Sequence, residues 1–517
     1  MISAASSVRS LLVYALVLPM ALIMGYLLAS PTDLGTWAMI AIVLLVLAAP
    51  VILARHHAVL FLTWNMTAVV FFLPGRPQVW LVMSGVSLFI SLFQRALSRE
   101  HRFISAPSLV IPLVFLAAVV LATAQLTGGL GLKILGSENV GGKRYFMLFA
   151  GMAGFLAMIA HRIPEEKALR YVGMFLLGSL TNAVTTILLF LGPGFYFLFL
   201  FFPVELETSF ASVGLQPDII RLWGSSVAAM GFFFYILARY GIRQSFSLKR
   251  PWRAILLFAL LAFGSSGGFR TFLVLMTLTF AVLFYLEGLF VSKYALTFGA
   301  CFIIFCALVI PLANKLPLSI QRTLSILPLQ VSPVARFDAQ ISTEWRLEMW
   351  QIVLPEVPKH FWLGKGLGIS RAELDLISEM SRRGRISSQE VAMLAGDYHN
   401  GPLSVIIPFG IWGAIGVVWF IGASLRALYR NYRYGPEEFQ RINRLLLAVF
   451  VARLIVFIFV FGGFYADLAV FSGIVGLSLS LNNGIRKHVP AFVPRPVEPH
   501  EGFELAGAGV RAFVRSS

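Results

Sequence analysis

"GDYHNGPLSVIIPFGIWG", residues 396–413, sets Asp397-Tyr398-His399-Asn400 directly ahead of a long apolar run. The chain holds only 8 His, so a His at that junction calls for an account. The apolar run is one of many. Of the 517 residues, 58% are hydrophobic and 13% charged, whereas soluble domains carry about 25% charged residues. Runs near the ~20 residues that cross a bilayer as a helix recur from end to end. The composition therefore predicts an all-α polytopic membrane protein.

Spans are expected near 10–30, 35–54, 58–73, 78–94, 107–126, 145–161, 170–191, 223–240, 252–266, 271–288, 295–313, 401–424, 445–463 and 467–482. The runs 58–73, 252–266 and 467–482 are the weakest, which gives about 12–14 spans in all. Residues 10–30 read as a retained first span. Only Arg9 precedes them, and "LLAS" at 27–30 runs into Pro31, a poor cleavage context. Cys301 and Cys306 share one apolar run and read as small core residues, not as a disulfide framework.

The net charge of +17 falls in short loops. One alternating set of loops holds Arg55, then Arg95, Arg99 and Arg102, then Arg162, Lys167 and Arg170, and later the clusters at 239–253 and 426–444. The other set is poor in cations: "SPTDLGT" at 30–36 has none and "PGRP" at 74–77 has one. Lys and Arg mark cytoplasmic loops. Both termini are thus expected inside, and topology explains the basic balance with no nucleic-acid partner. The predicted organisation is an N-terminal transmembrane bundle over 1–313, a cap loop over 314–400, transmembrane helices over 401–482 and a cytoplasmic tail over 483–517.

Three outside segments are longer than a turn. Residues 127–144, "TGGLGLKILGSENVGGKR", end in Lys143-Arg144. Residues 192–222 open on the aromatic run "GFYFLFLFFP", which suits the membrane interface. Residues 314–400 carry ten Lys/Arg and nine Asp/Glu, a balance that fits a folded cap. Within the cap a short helix is expected to start at Ser342 or Thr343, either of which can cap free N–H groups. It would place Arg346, Met349, Trp350 and Val353 on one face and end before Pro355. "LGKGLG" at 363–368 reads as a glycine-rich turn and "SRRGR" at 381–385 as a solvated stretch. The turn "GSSGGFRTFL" at 264–273 puts Arg270 at the mouth of a span. Arg270, Arg346 and His399 are therefore expected on one face of the membrane.

The order "GGFRTFL", "WRLEMWQ", "FWLGKGLG", "YHNGPLSVIIPFGIWGAIG" resembles the O-antigen ligase / Wzy-type polymerase superfamily of bacterial envelope glycosyltransferases, most closely over about 250–430. The resemblance implies a GT-C-like enzyme in the inner membrane. Such an enzyme moves a glycan from a polyprenyl diphosphate lipid to a glycan or lipid acceptor on the periplasmic face. It also implies roles for Arg270 and Arg346 at the diphosphate and for His399 as the catalytic residue. This chain departs from the family in its glycine-rich turn before Arg270 and in the number of its spans.

The residue types suit that chemistry. Arg is always charged and presents a planar fork to phosphate oxygens. Fixed cations stabilise the negative charge that grows on a leaving diphosphate. A neutral imidazole can take the proton of an acceptor hydroxyl. Neither a metal nor another cofactor is required, and the expected reaction inverts the anomeric centre. The first outer loop has Asp33 alone, and "ELD" at 373–375 is the one close acidic pair of the cap.

Each residue also has a plainer reading. His399 can cap the next helix, Arg346 can pair at the surface or stack on Trp350, and Arg270 can snorkel to headgroups. Tyr398, Asn400 and Asp397 flank the His, Asp397 as a candidate to orient it. Lys143 and Arg144 fit headgroup contact. Arg453 lies inside "LLLAVFVARLIVFIFV", where a charge has either a structural partner or a role. Asn182 is a weaker case of the same kind. Backbone N–H groups of "GKGLG" fit either a plain turn or a phosphate cradle. Two other classes stay open: a lipid-linked glycan flippase or transporter, and a non-catalytic scaffold. Ligase and polymerase are not separable, because the donor chemistry is shared.

Overall fold

The computed structural model describes residues 15, 17–26, 34–73, 75–98, 102–130, 139–203, 221–383, 388–394 and 396–487. Asp33, residues 131–138 and 384–387 and the tail from 488 lie outside the described residues. The chain is a multi-pass all-α membrane protein. Among the described residues, eight helices are long and apolar enough to cross a bilayer, and four shorter apolar helices accompany them.

The N-terminal part runs through α1 (Val17–Tyr26), α2 (Leu34–Thr63), α3 (Val79–Leu97), α4 (Pro107–Leu126), α5 (Gly142–Met158), α6 (Ala168–Leu177) and α7 (Thr181–Leu191). It continues with α8 (Trp223–Ser245), α9 (Trp252–Ser265), α10 (Arg270–Leu286) and α11 (Lys293–Leu312). The cap holds α12 (Leu318–Leu324), α13 (Pro333–Val353), α14 (Glu356–Lys359), α15 (Arg371–Arg382) and α16 (Ser388–Leu394). Three long helices close the chain: α17 (Leu403–Tyr434), α18 (Gln440–Phe459) and α19 (Phe464–Asn482). The one described sheet pairs β1 (Asn139–Val140) antiparallel with β2 (Ile369–Ser370), which ties the 127–144 segment to the cap. The core lies between α5 and α19, where Leu148, Phe155, Phe471 and Val475 are fully covered.

One expected span needs correction. Runs 35–54 and 58–73 divide at Arg55 as expected: α2 is two helices that meet there at a kink, where the Arg55 φ/ψ of −136°/20° is not helical. Pro50, inside this helix, removes one helical N–H a turn earlier. The second run is helical only to Thr63. From Trp64 the backbone is irregular and finds partners elsewhere. The Asn65 side chain donates to Phe175 O at 2.7 Å, Thr67 N–H to Thr181 Oγ1 at 3.1 Å, and Val69 N–H to Phe201 O at 2.9 Å. A non-helical backbone is tolerated at membrane depth only when protein satisfies it in this way. The aromatic run at 193–200 is a 3₁₀ helix with Phe195, Tyr196 and Phe197 exposed.

The cap helix also starts earlier than expected. α13 begins after Ser332, with Pro333 at its first position, where a missing N–H costs nothing. Ser342 and Thr343 lie mid-helix, and the Thr343 hydroxyl donates back to Ala339 O at 3.1 Å. Met349 and Val353 are buried as expected, with Trp345 and Trp350 packed beside them.

α17 breaks at Gly410 (φ 62°), two residues after Pro408. The turn 361–367 fills the break. Lys365 N–H donates to Ile407 O at 2.8 Å, Gly366 N–H to Pro408 O at 2.9 Å, and Ile411 N–H to Phe361 O at 2.7 Å. Leu367 N–H donates to the Tyr145 hydroxyl at 2.8 Å. These amides hold the turn against α17, so "GKGLG" is a docked turn and not a phosphate cradle. A Cβ at Gly364 would lie 2.2 Å from Pro408 O, and the φ there is +78°, so only glycine fits.

Candidate functional site

The turn before α10 is shaped by its neighbours. Leu222 N–H donates to Gly267 O at 3.1 Å, and Thr323 Oγ1 donates to Ser265 O at 2.9 Å. A Cβ at Gly267 would meet Ser226 Oγ at 2.2 Å, and Gly268 has φ +78°. The glycine-rich turn is thus a packing requirement, and it delivers Arg270 to the first position of α10. The Arg270 Nη2 donates to Thr343 Oγ1 of α13 at 2.9 Å.

Three more arginines gather there. Arg322 of α12 is buried. Its Nη1 donates to Gly268 O, and its Nε binds Asp338 Oδ2. Arg221, just before α8, reaches both Asp338 oxygens at 3.1 and 2.9 Å. Arg346 lies two turns along α13 from Asp338. Burial, and then the like charges of Arg322 and Arg221, hold the Arg346 guanidinium below its ordinary pKa. Arg322 is lowered to about 10, first by burial and then by Arg221, against the opposing pull of Asp338. Burial would raise the Asp338 carboxyl, but hydrogen bonds and charge from Arg322 and Arg221 outweigh it and hold the carboxyl low. Arg221 and Arg322 are engaged by Asp338. Arg270 and Arg346 add positive charge that this one carboxylate does not balance, an arrangement that favours an anion.

His399 adjoins this cluster. Its backbone is left-handed, with φ 48°. Its ring lies between Trp345, at 5.3 Å between centroids, and Phe461, at 5.2 Å. The Arg346 guanidinium lies 5.6 Å over the same Phe461 ring. His399 Nδ1 is 3.2 Å from Asp397 Oδ1, within ion-pair range but off line for a straight hydrogen bond. Burial would raise the Asp397 carboxyl; His399, and after it Arg144, prevail and lower it. Arg144 also lies 5.1 Å over the Tyr465 ring.

The four residues of the opening stretch divide their roles. Asn400, not His399, caps α17: its Oδ1 accepts from Leu403 N–H at 3.0 Å. Tyr398 is buried with Met349, Val353 and Ile407, and its hydroxyl is pushed up to about 12, chiefly by burial. Trp350 Nε1 donates to Tyr398 O at 3.2 Å.

Lys143 is exposed, while Arg144 is turned to the site. Arg453 pairs with Asp467 across α18 and α19, Nη2 to Oδ1 at 2.5 Å. Asn182 is a structural residue that donates to Ser179 O at 2.9 Å. Asp375 is exposed, and among the described residues no group of three His, Cys, Asp or Glu is placed to hold a metal ion. Sequence reasoning missed Arg221, Arg322, Asp338, Trp345 and Phe461. Arg221 meets Asp338 across a gap of 117 positions, which no local pattern signals.

The fold and this cationic cluster define a multi-pass membrane protein with an anion-suited site where a large loop meets the bundle. Residues 253–418, about a third of the chain, match the family model described as O-Antigen ligase. The match spans α9 to the first half of α17, and so Arg270, Arg322, Asp338, Arg346 and His399. No curated relative matches the chain.

Proposed function

We propose that this protein is a metal-independent, inverting glycosyltransferase of the bacterial inner membrane. It moves an oligo- or polysaccharide from a polyprenyl diphosphate to an acceptor hydroxyl on the periplasmic face. The observation that carries this reading is the meeting of Arg346 and His399 at the ring of Phe461. Arg270 and Arg346 hold the diphosphate. Asp397 faces Nδ1 of His399, which leaves Nε2 to accept the acceptor's proton. The acceptor oxygen then bonds to the anomeric carbon as the C–O bond to the diphosphate breaks. The electron pair of that bond stays on the diphosphate, where the arginines stabilise it most in the transition state.

The test is release of polyprenyl diphosphate by the purified protein in detergent. Arg346→Ala abolishes release, and Arg346→Lys restores little, because a point charge lacks the two-pronged contact. Near-normal turnover of Arg346→Ala removes it from the site. EDTA leaves the wild-type rate unchanged, and strict dependence on an added divalent ion would sink the metal-free mechanism. A deletion strain distinguishes the acceptors: unligated long chains accumulate if the enzyme is a ligase, single repeat units if it is a polymerase.

A further inference from the structure

We propose that Asp467 is a positioning residue: through its bond to Gly463 N–H it fixes the turn 460–463 and, through Phe461 of that turn, sets His399 against Arg346. The inference rests on the catalytic reading above for its functional half. The Arg453–Asp467 pair lies near the end of α18 and in the first turn of α19. Arg453 Nη2 and Nε reach Asp467 Oδ1 at 2.5 and 2.8 Å. The second carboxylate oxygen accepts from Gly463 N–H at 2.9 Å. Asp467 is buried, with 1% of its side chain exposed. A buried ion pair of this kind is weak evidence of net stabilisation, because apolar residues of similar volume often do as well. What Asp467 adds here is a fixed bond to the turn.

The turn is held from the other side as well. Gly401 N–H donates to Phe457 O at 3.1 Å, and Phe464 N–H to Ser404 Oγ at 2.9 Å. A Cβ at Gly462 would lie 2.9 Å from Gly401 Cα, so the turn and the start of α17 are in close backbone contact. Phe461 therefore stands in a fixed place, with both His399 and Arg346 against its ring. Trp345, the neighbour of Arg346, packs on His399 too, and the three rings with the guanidinium form one assembly. Neither Arg453 nor Asp467 touches His399 or Arg346. The effect of Asp467 passes through Gly463 and Phe461.

The experiment compares two double variants in detergent, with polyprenyl-diphosphate-linked oligosaccharide from the parent membranes as donor. Arg453→Met with Asp467→Asn removes the charges, and the Asn carbonyl still accepts from Gly463. Here kcat stays within roughly threefold of wild type. Arg453→Met with Asp467→Leu removes the Gly463 bond as well. Here kcat falls about 10–100-fold, the scale of a 1 Å misplacement, with KM for donor little changed. Hydrogen exchange at 460–464 speeds up in the Leu variant and not in the Asn variant. Unchanged exchange in the Leu variant overturns the strut. Wild-type kcat in a folded Leu variant, or equal loss in both variants, overturns the positioning role. Should the Leu variant not fold, Phe461→Ala decides: wild-type kcat overturns the proposal, and a loss relieved in Phe461→Leu supports it. Full activity of His399→Gln would instead sink the catalytic reading, while the exchange result at Gly463 stands apart from it.

Discussion

His399 has a left-handed backbone (φ 48°) in a segment with Gly396 (φ 72°) and Gly401. Few non-glycine residues adopt that conformation, though His, Asn and Asp do so more readily than others. Because Asn400 supplies the cap of α17, His399→Gln leaves that helix start intact and removes only the imidazole. The expected outcome is a loss of 10²–10⁴ in transfer rate, with donor binding kept by the arginines. A variant with the wild-type rate would make the His structural. Asp397 offers a stability test with a definite sign. Its folded-state carboxyl is lowered, so its contribution is present above the ordinary carboxylate range and is lost as pH falls through the lowered value. Asp397→Asn should flatten that acid decline in thermal melts. The sequence displays the polar junction plainly. It does not display which of four adjacent residues caps, which packs and which faces the site, because those assignments depend on Met349, Phe461 and Arg144, each far away in the chain.

At the scale of elements, α13 joins the arginine cluster to the cap. Asp338 is its anchor, holding Arg221 and Arg322. Removing one partner of a buried pair leaves a charge uncompensated, at a cost of about 3–5 kcal/mol. Asp338→Ala should therefore lower the melting temperature sharply in detergent. Replacing both partners, Asp338→Leu with Arg322→Met, should recover much of that loss. Equal melting of Asp338→Ala and wild type would show that the pair is not an anchor. The extent of α13 was only half legible. Its apolar face, Met349 and Val353, follows from periodicity. Its start does not, because Ser342 and Thr343 look like caps locally and are overridden by Pro333 and by contacts with α10. The break in α17 was hidden for a similar reason. Pro408 and Gly410 mark a weak point, but the amides that fill it come from the turn at 361–367.

For the whole molecule, the alternation of basic and cation-poor loops predicts which face carries the cap. In a background with Cys301 and Cys306 replaced, Arg383→Cys should react with a membrane-impermeant thiol reagent in intact cells, and Arg433→Cys should not. The reverse pattern would invert the topology and place His399 in the cytoplasm. Composition alone gave the class of fold, since an apolar chain of this kind has helices as its main way to satisfy the backbone in lipid. The count of spans was less legible. Hydropathy measures burial and not conformation, so a half-helical run such as 58–73 looks like a whole span.

That half-helical run has a consequence for synthesis. The partners that complete 65–69 belong to Phe175, Thr181 and Phe201, which leave the ribosome more than a hundred residues later. Until then the segment carries amides that lipid cannot satisfy. It has to wait, at the translocon or in water, for α6, α7 and the aromatic 3₁₀ helix to arrive. Insertion of this chain is therefore not a simple succession of spans entering in order. Nascent chains arrested between residues 80 and 170 should leave residues 65–70 open to protease or thiol reagent, and chains arrested beyond 240 should protect them.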